Sequence, residues 1–363
     1  MTAVSVAQGK ETTIRTPPSR RTVLVLLSVL LTGVALFSMA WGAVEISLLQ
    51  ALAILATQIG VDLPWPFDAS QETVLLSIRL PRAILGATVG GALALSGATM
   101  QGMFRNPLAD PQLIGVSSGA ALAAVTTIVL GGLVMVSTSG LAFQLALPVA
   151  AFIGGSAATL IVYQISNRSG RTVVATMLLA GIAIQAIASA GIGGLIFIAD
   201  DGQLRTLNFW LLGSLAGGTW DVVLPTLLFV AAPIFIIPMF ARPLNAFLLG
   251  ESEAGHVGID VERMKRILVG LVALAAGASV AATGIIGFVG LVVPHILRLL
   301  VGADHRVLLP GSILLGGTLL IAADLIARTV VVPAELPIGI VTSLIGGPFF
   351  IWLIIRNRSQ SGF

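Results

Sequence analysis

The stretch 79–120 constrains the fold of this chain more than any other part of the sequence. It begins with Arg79 and Arg82, continues through about twenty apolar and small residues, and reaches Arg105 and Asp110 in a polar turn before a second glycine-rich run. An apolar run of this length crosses the hydrocarbon core of a bilayer as one helix. The charged residues at its ends mark the two membrane faces, so the stretch predicts a spanning helix around which the other helices pack.

The composition places the whole chain in the same class. Charged residues make up 10% of the sequence and hydrophobic residues 56%, whereas soluble domains carry about 25% charged residues. The 41 glycines suit helices that approach closely inside a membrane. The absence of cysteine excludes disulfides, thiolate metal sites and a cysteine nucleophile. We attribute the net charge of +3 to cationic cytoplasmic loops and expect no nucleic-acid binding.

The apolar segments predict an all-α polytopic membrane protein with about ten transmembrane helices and both termini in the cytoplasm. Residues 1–21 are predicted to form a disordered cytoplasmic tail, residues 22–358 a single transmembrane domain, and residues 359–363 a C-terminal tail. Two halves of five helices would insert in opposite senses, as inverted repeats do. The predicted spans are 23–41, 74–103, 112–131, 146–165, 172–198, 222–241, 267–284, 286–301, 309–327 and 337–355.

The positive charges support this topology. Fifteen lysines and arginines fall on the predicted inner side and four on the outer side, and a shift by one helix would reverse the bias. Three of the outer residues, Arg79, Arg82 and Arg328, adjoin helix ends. Two interpretations are open for them. Each is structural, through snorkelling or a local ion pair such as one with Glu335, or together they form a cationic rim for a partner's carboxylates.

The longest charged stretch, 242–266, is predicted to lie on the inner side. Within it the sequence GESEAGHVGID at 250–260 is typical of a short amphipathic helix between glycines. A helix of this kind fits into a groove on a partner protein. An ordinary solvated loop is the alternative.

Catalytic motifs are missing from the sequence. No Walker A motif occurs, because the lysines are Lys10 and Lys265 and neither follows a glycine-rich phosphate loop. HExxH and GxSxG motifs are absent, and the three histidines are too scattered for a metal site. We therefore predict a transport protein that is not an enzyme and binds no cofactor or metal itself. Its energy must come from a partner or from a gradient, for which Asp324 is the main candidate relay.

Several motifs in order give the chain a specific resemblance to a known family. They are RLPR at 79–82, SGATMQGMFRNPLADPQLIGVSSGA at 96–120, LLGESEAGHVGI at 248–259, GFVGLVVPHILRLLVGADHRVLLPG at 287–311 and AELPIGIVTSLIGGPFFIWLI at 334–354. They resemble the permease subunit of bacterial type II ABC importers for iron chelates, haem and vitamin B12. The resemblance implies a homodimer in the inner (cytoplasmic) membrane, two cytoplasmic ATPase subunits that bind ATP and Mg, and one periplasmic substrate-binding protein.

The resemblance also implies roles for individual residues. The three outer arginines match arginines that meet glutamates of the binding protein. Asn106 and Leu108 match a cytoplasmic gate. The residues that match the ATPase-coupling helices are Leu249, Gly250, Glu251, Ala254, Gly255 and Gly258.

The resemblance leaves the substrate open. A second gate aligns with Val174 and Ala175, where vitamin B12 permeases carry a Thr-Ser pair, and this departure argues against cobalamin. The segment LNFWLLGSLAGGTW at 207–220 resembles the haem branch more than the hydroxamate or catecholate branches. Haem is therefore the predicted substrate, with ferric siderophores and then cobalamin as alternatives. A gradient-driven secondary transporter is the alternative of another class.

Overall fold

The structure, a computed structural model, describes residues 19–134, 141–168, 171–331 and 334–358. Within this part of the chain a helix coincides with each of the ten predicted spans, so the prediction of an all-α polytopic fold is confirmed. In chain order the helices are α1 (Arg20–Ala40), α2 (Leu48–Thr57), α3 (Ala69–Val74), α4 (Leu80–Phe104), α5 (Val116–Val134), α6 (Leu141–Ser166), α7 (Val174–Ile198), α8 (Asp201–Leu212), α9 (Trp220–Ile236), α10 (Ala241–Phe247), α11 (Glu251–His256), α12 (Val261–Thr283), α13 (Val289–Val301), α14 (His305–Thr329) and α15 (Ile338–Arg358).

The ten helices differ in how fully they could span a bilayer. Seven are long and apolar enough to cross a membrane by length and composition, and in two of these α3 runs on into α4 and α9 into α10. The other three, α5, α13 and α15, have shorter apolar parts. The remaining short helices, α2, α8 and α11, lie in connections between spans.

The predicted outer segments 44–73 and 199–221 are largely helical. Helices α2, α3 and α8 in these segments each begin at a capping box, in which two side chains three residues apart bond to each other's backbone N–H. The pairs are Ser47 with Gln50, Asp68 with Gln71, and Asp200 with Gln203. Local capping therefore fixes the residue at which each of these short helices begins.

Helix α4 is the centre of the bundle, as its sequence predicts. It packs against α9, α12, α13 and α14, and nearly all of its side chains are buried. A Cβ on Gly90 would overlap the carbonyl oxygen of Gly316 in α14, and a Cβ on Gly316 would overlap that of Gly90. A Cβ on Gly97 would overlap the carbonyl oxygen of Gly290 in α13. Small residues at these crossings allow the close packing that holds helices together in lipid.

One turn of π-helix, Leu75–Arg79, joins α3 to α4. Pro81 follows this turn and lacks the N–H that would continue the regular hydrogen-bond ladder, so the backbone widens there. The indole N–H of Trp220 donates to the carbonyl oxygen of Leu76 within the turn, at 3.1 Å. The continuous helix therefore starts at Ala69, earlier than predicted.

Helix α13 is short because the chain before it is not helical. Gly284 and Phe288 both have positive φ, at 71° and 69°. The ring of Phe288 lies against Gly346 of α15, where a Cβ would clash with it. The N–H of Ser214 donates to the carbonyl oxygen of Thr283 at 2.8 Å. Irregular backbone at membrane depth is tolerated where protein covers it in this way.

The N-terminal boundary differs from the prediction. The sequence predicts a tail that extends to residue 21, but the Ser19 side chain caps α1 and Arg20 is the first residue of the helix. Arg20 is ordered by an ion pair with Asp304 at 2.6 Å, because the start of α14 lies beside it. The rest of the predicted tails, 1–18 and 359–363, lies outside the described residues.

Candidate functional site

Three arginines from distant parts of the sequence meet at the end of the bundle that we call the outer end, following the charge distribution. Arg82 of α4 binds Asp324 of α14 through Nε and Nη2, at 3.0 and 2.9 Å. It binds Glu335 through Nη1 and Nη2, at 3.0 and 2.9 Å. Bidentate pairs of this kind are among the strongest that a guanidinium makes. Arg82 therefore has the local ion pair with Glu335 that the structural interpretation predicts.

Arg79 and Arg328 bind the C-terminal end of α1. Arg79 is 7% exposed and donates to two carbonyl oxygens in the last turn of α1, at 2.8 and 2.9 Å. Arg328 donates to Ser38 and to the carbonyl oxygen of Trp41, and it lies 3.7 Å from Asp324. The last carbonyls of a helix lack intrahelical donors and carry partial negative charge, so cations stabilise them.

These five side chains, Arg79, Arg82, Asp324, Arg328 and Glu335, form the arginine cluster. It holds three positive and two negative charges at the outer end. The Glu335 side chain is 41% exposed and that of Arg82 is 12% exposed, so a partner's carboxylate would reach Arg82 by displacing Glu335. Arg79 is enclosed by α1. The docking role stays a prediction, and the geometry favours Arg82 over Arg79 for direct contact.

The opposite end of the bundle, which we call the inner end, carries α11 where a short helix between glycines is predicted. Gly250 before it has φ 144° and Gly258 after it has φ 87°, conformations that other residues rarely adopt. Ala254 is fully buried, whereas Leu249 and Val257 are 78% and 75% exposed. The helix is therefore packed on one side, with two large apolar side chains uncovered beside it. A cleft in a partner protein would cover such side chains.

A buried lysine anchors α11 to the bundle. Lys265 of α12 is 2% exposed, and its Nζ pairs with Glu251 at 2.7 Å and with Glu262 at 3.2 Å. Nζ also donates to the carbonyl oxygen of Thr172 at 3.2 Å, and the N–H of Thr172 donates to Glu262 at 2.8 Å. One ammonium group thus joins α11, α12 and the two-residue strand Arg171–Thr172, which pairs with Asn167–Arg168 and leads into α7. The sequence pattern does not predict this role, although Lys265 is one of two lysines in the chain.

The predicted gate residues Asn106 and Leu108 lie in the exposed turn after α4. Arg105 ends α4 in the left-handed conformation, with φ 48°. The Asn106 side chain accepts a hydrogen bond from the N–H of Leu108 at 2.9 Å, which fixes the turn locally. In the same turn Asp110 accepts from the N–H of Gln112 at 2.8 Å, and burial raises the pKa of its carboxyl to about 6.

The second predicted gate pair, Val174 and Ala175, begins α7. A single-turn helix, Pro111–Ile114, follows the first gate turn and packs against α7 so closely that a Cβ on Gly181 would overlap the carbonyl oxygen of Leu113. The fold therefore brings the two predicted gate segments onto neighbouring elements. Their role in gating stays a prediction.

A second network, not predicted from the sequence, joins α10 to the start of α14. Asn245 donates to Asp304 at 2.7 Å, and its oxygen accepts from the N–H of His305 at 2.9 Å and lies 2.8 Å from Nδ1 of the same ring. Burial alone would raise the pKa of Asp304. Hydrogen bonds from the backbone of Arg306 and from Asn245, together with the charge of Arg20, hold that pKa below its ordinary value. An isolated Asn and Asp give no motif from which this network could be found.

Within the described ranges, no group of three or more His, Asp or Glu side chains is placed to hold a metal ion. The contacts described at the two ends are ion pairs, hydrogen bonds and apolar contacts. Such groups can bind and transmit movement between proteins.

Comparison with known sequences gives one consistent family. The profile of the FecCD transport family matches residues 27–356. The hemin transport system permease protein HmuU of Yersinia pestis is 48% identical over 290 residues, which are 79% of this chain and 84% of HmuU. The cobalamin import system permease protein BtuC of Halobacterium salinarum is 40% identical over 361 residues, which are 91% of this chain and 94% of BtuC.

A solved structure is similar along nearly the whole length. It is described as an inward-facing conformation of a metal-chelate type ABC transporter, and it superimposes with a TM-score of 0.80 at 32% sequence identity. The match covers 93% of this chain and 99% of that one. The fold therefore agrees with the family that the sequence comparisons give.

Proposed function

We propose that this chain, which belongs to the FecCD transport family and is the membrane permease of an ABC importer, imports haem. The subunit itself is a transport subunit and not an enzyme. ATP hydrolysis takes place on a separate cytoplasmic ATP-binding subunit, which holds the ATP and Mg. The location that follows for the permease is the bacterial inner membrane.

The observation that carries the mechanism is the geometry of α11. Its buried face is fixed by Ala254 and by the pair between Glu251 and Lys265, while Leu249 and Val257 are exposed beside it. If a partner protein displaces a helix held in this way, the helix moves as a unit without unfolding. Lys265 couples that displacement to α12 and, through Thr172, to the start of α7.

The assembly that we propose contains two copies of this permease, two ATP-binding subunits at the inner end and one periplasmic binding protein at the outer end. Docking of the binding protein on the arginine cluster delivers the substrate to the central pathway. Closure of the ATP-binding subunits moves α11, and with it the gate segments around Asn106, Leu108, Val174 and Ala175. The pathway thus opens alternately to the two sides.

Two observations support haem as the substrate: the 48% identity to a hemin permease, and the resemblance of the segment 207–220 to the haem branch. The cobalamin permease matches a larger share of the chain at lower identity, so cobalamin and ferric siderophores are competing substrates. Asp324, the candidate relay for a gradient-driven carrier, is paired with Arg82. A single buried acid held by an arginine makes a poor proton relay.

Uptake into proteoliposomes tests the proposal. The vesicles contain the permease, its ATP-binding subunit and its binding protein, and they receive haem, a ferric siderophore or cobalamin with and without ATP. ATP-dependent uptake of haem alone is expected. Uptake of siderophore or cobalamin in place of haem would overturn the assignment of haem as the substrate. Uptake of any substrate without ATP would overturn the ATP-driven mechanism.

A further inference from the structure

An open groove of about 430 Å³ runs along the surface of the bundle between α6 and α12. Gly270 and Leu274 of α12 form part of its floor, and Leu160 of α6 forms part of its wall. Phe152 lies at one end of the groove, where its ring centroid is 5.2 Å from that of Phe229 in α9. The groove is therefore lined by α6 and α12, and α9 adjoins it through Phe229.

The groove lies on an apolar surface. Ile153 and Leu160 of α6 are 60% and 56% exposed, and Leu228 of α9 is 74% exposed. Thr159, which also lines the groove, donates its hydroxyl to the carbonyl oxygen of Gly155 in its own helix at 3.0 Å. The wall therefore offers methyl groups, and large exposed apolar side chains on spanning helices are covered by lipid chains.

A cation lies at the other end of the groove. Arg266 is exposed, and its Nε donates to the hydroxyl of Tyr163 at 3.4 Å. Among the residues that the structure describes, no carboxylate lies within 4.0 Å of this guanidinium. Asp260 and Glu262 at the start of α12 act on Arg266 electrostatically, but their hydrogen bonds and ion pairs go to other groups. Glu262 binds Lys265 and Thr172, and Asp260 accepts from the N–H of Arg263.

The dimensions match one lipid leaflet. Arg266 and Leu274 are eight residues apart on α12, which is about 12 Å along a helix that rises 1.5 Å per residue. Half of the hydrocarbon core of a bilayer is about 15 Å thick. A chain that begins beside Arg266 would therefore lie in the groove through most of the inner leaflet.

We propose that this groove binds a phospholipid with an anionic headgroup from the inner leaflet. The guanidinium of Arg266 and the hydroxyl of Tyr163 hold the headgroup phosphate, and one acyl chain lies over Gly270 as far as Phe152. Arginine is well suited to phosphate, and basic pockets between spanning helices on the cytoplasmic side bind anionic headgroups. The lipid would brace α12 directly behind Lys265, which anchors α11.

Photochemical capture tests the site without any transport assay, so its failure is distinguishable from failure of the proposed function. The full chain is placed in phosphatidylcholine nanodiscs that contain a trace of phosphatidylglycerol with a diazirine in its acyl chain. After illumination, mass spectrometry locates the labelled peptides. We expect labels on α6 and α12, and displacement by unlabelled phosphatidylglycerol but not by glycerol 3-phosphate.

Two pairs of variants separate the headgroup from the chain. Arg266→Gln is expected to reduce capture at least fivefold, whereas Arg263→Gln, an exposed arginine on the same helix outside the groove, leaves it unchanged. Gly270→Phe fills the groove, and Gly33→Phe adds the same bulk on α1. A Cβ at either glycine meets no atom within 4 Å, so both variants are expected to fold.

Several outcomes would overturn the proposal. Equal capture of a phosphatidylcholine probe would mean ordinary lipid contact, and unchanged capture in Arg266→Gln would remove the headgroup site. Displacement by glycerol 3-phosphate would mean a soluble phosphate site. Because the chain has no cysteine, Leu160→Cys provides a single thiol. Efficient disulfide formation between two copies at this position in bilayers would place a second copy in the groove instead of a lipid.

Discussion

The two ends of the bundle differ in what their charged side chains bind and in which side chains they leave exposed. At the outer end, Arg82 is bound by Asp324 and Glu335, and Arg79 and Arg328 bind the end of α1. At the inner end, Lys265 is buried behind α11, and the uncovered side chains are apolar. At the outer end the charged side chains thus bind other groups of the same chain. At the inner end a buried charge holds a helix whose neighbouring apolar side chains are exposed.

This difference has a consequence for how each end meets a partner. In the proposed assembly, a binding protein at the outer end must displace the carboxylates that already bind the arginines, which lowers the gain from docking. An ATPase at the inner end would meet a preformed helix and would lose little conformational entropy on binding.

The largest expected effect is at the inner end. Gly255→Trp adds a bulky side chain to α11 where a Cβ meets no atom within 4 Å, so the fold is expected to be kept. We expect ATP-driven uptake to fall at least tenfold while the permease still assembles, because the helix no longer fits its partner. Gly33→Trp on α1 is the control of equal bulk, and normal uptake in Gly255→Trp would contradict the role of α11.

The anchor behind α11 comes next. Lys265→Met removes the ammonium from Glu251, Glu262 and Thr172, and we expect a loss of about 2 kcal/mol in stability, less than for a fully buried pair because both carboxylates are partly exposed. Thermal unfolding measures the loss, and limited proteolysis should show earlier cleavage near α11. Arg263→Gln, on the same helix, is expected to change neither.

Smaller effects are expected at the outer end. Arg82→Gln should weaken binding of the periplasmic protein about tenfold, or 1.4 kcal/mol, because a bidentate partner is lost. Glu335→Gln should strengthen it a few-fold by releasing Arg82. Arg79→Gln should lower the thermal stability with little change in affinity.

Titration of the binding protein onto permease in nanodiscs measures the three affinities, and thermal unfolding measures the stability of Arg79→Gln. Arg205→Gln, an exposed outer arginine outside the cluster, is the control, and equal losses at Arg205 and Arg82 would remove the cluster's specific role.

The last two predictions concern the pH dependence of stability at the two ends. The pKa of Asp110 is raised from 3.8 to about 6, so the folded protein binds the proton more tightly than the unfolded chain does. Stability should therefore fall as the pH rises from about 4 to about 6, by at most about 3 kcal/mol at 1.4 kcal/mol per unit. Asp110→Asn should abolish this slope.

Asp68 at the outer end should behave in the opposite way. Its pKa is lowered because it accepts from the backbone of Gln71 and from the side chain of Ser70. Its contribution to stability should be present above about pH 4 and be lost as the pH falls below that value. Unfolding of Asp68→Asn and Asp110→Asn between pH 3 and 7 would test both signs in one experiment, and slopes of the same sign would contradict the comparison.

Much of the candidate site was predictable because it depends on local signals. Gly250 and Gly258 predict the bounds of α11, and the run after Pro81 predicts the central helix. The ion pair between Arg82 and Glu335 was one of two stated interpretations. The partners of Arg79 and Arg328 were not predictable, because backbone carbonyls at the end of α1 leave no mark in the sequence. The network of Asn245 with Asp304 was missed for a similar reason, since α10 and α14 meet only in the folded bundle.

The sequence by itself predicted the ten main helices, their order and their sides of the membrane, and its motifs indicated the family. These follow from hydropathy, charge asymmetry and ordered motifs, which act within one segment at a time. The tertiary structure alone decided which charges are satisfied within the chain and which side chains remain uncovered. Lys265 shows the reason: Glu262 is its neighbour on α12, but Glu251 and Thr172 come from other segments. The burial of Lys265 and its pairing with those two residues are set by distances that arise only when the segments pack together.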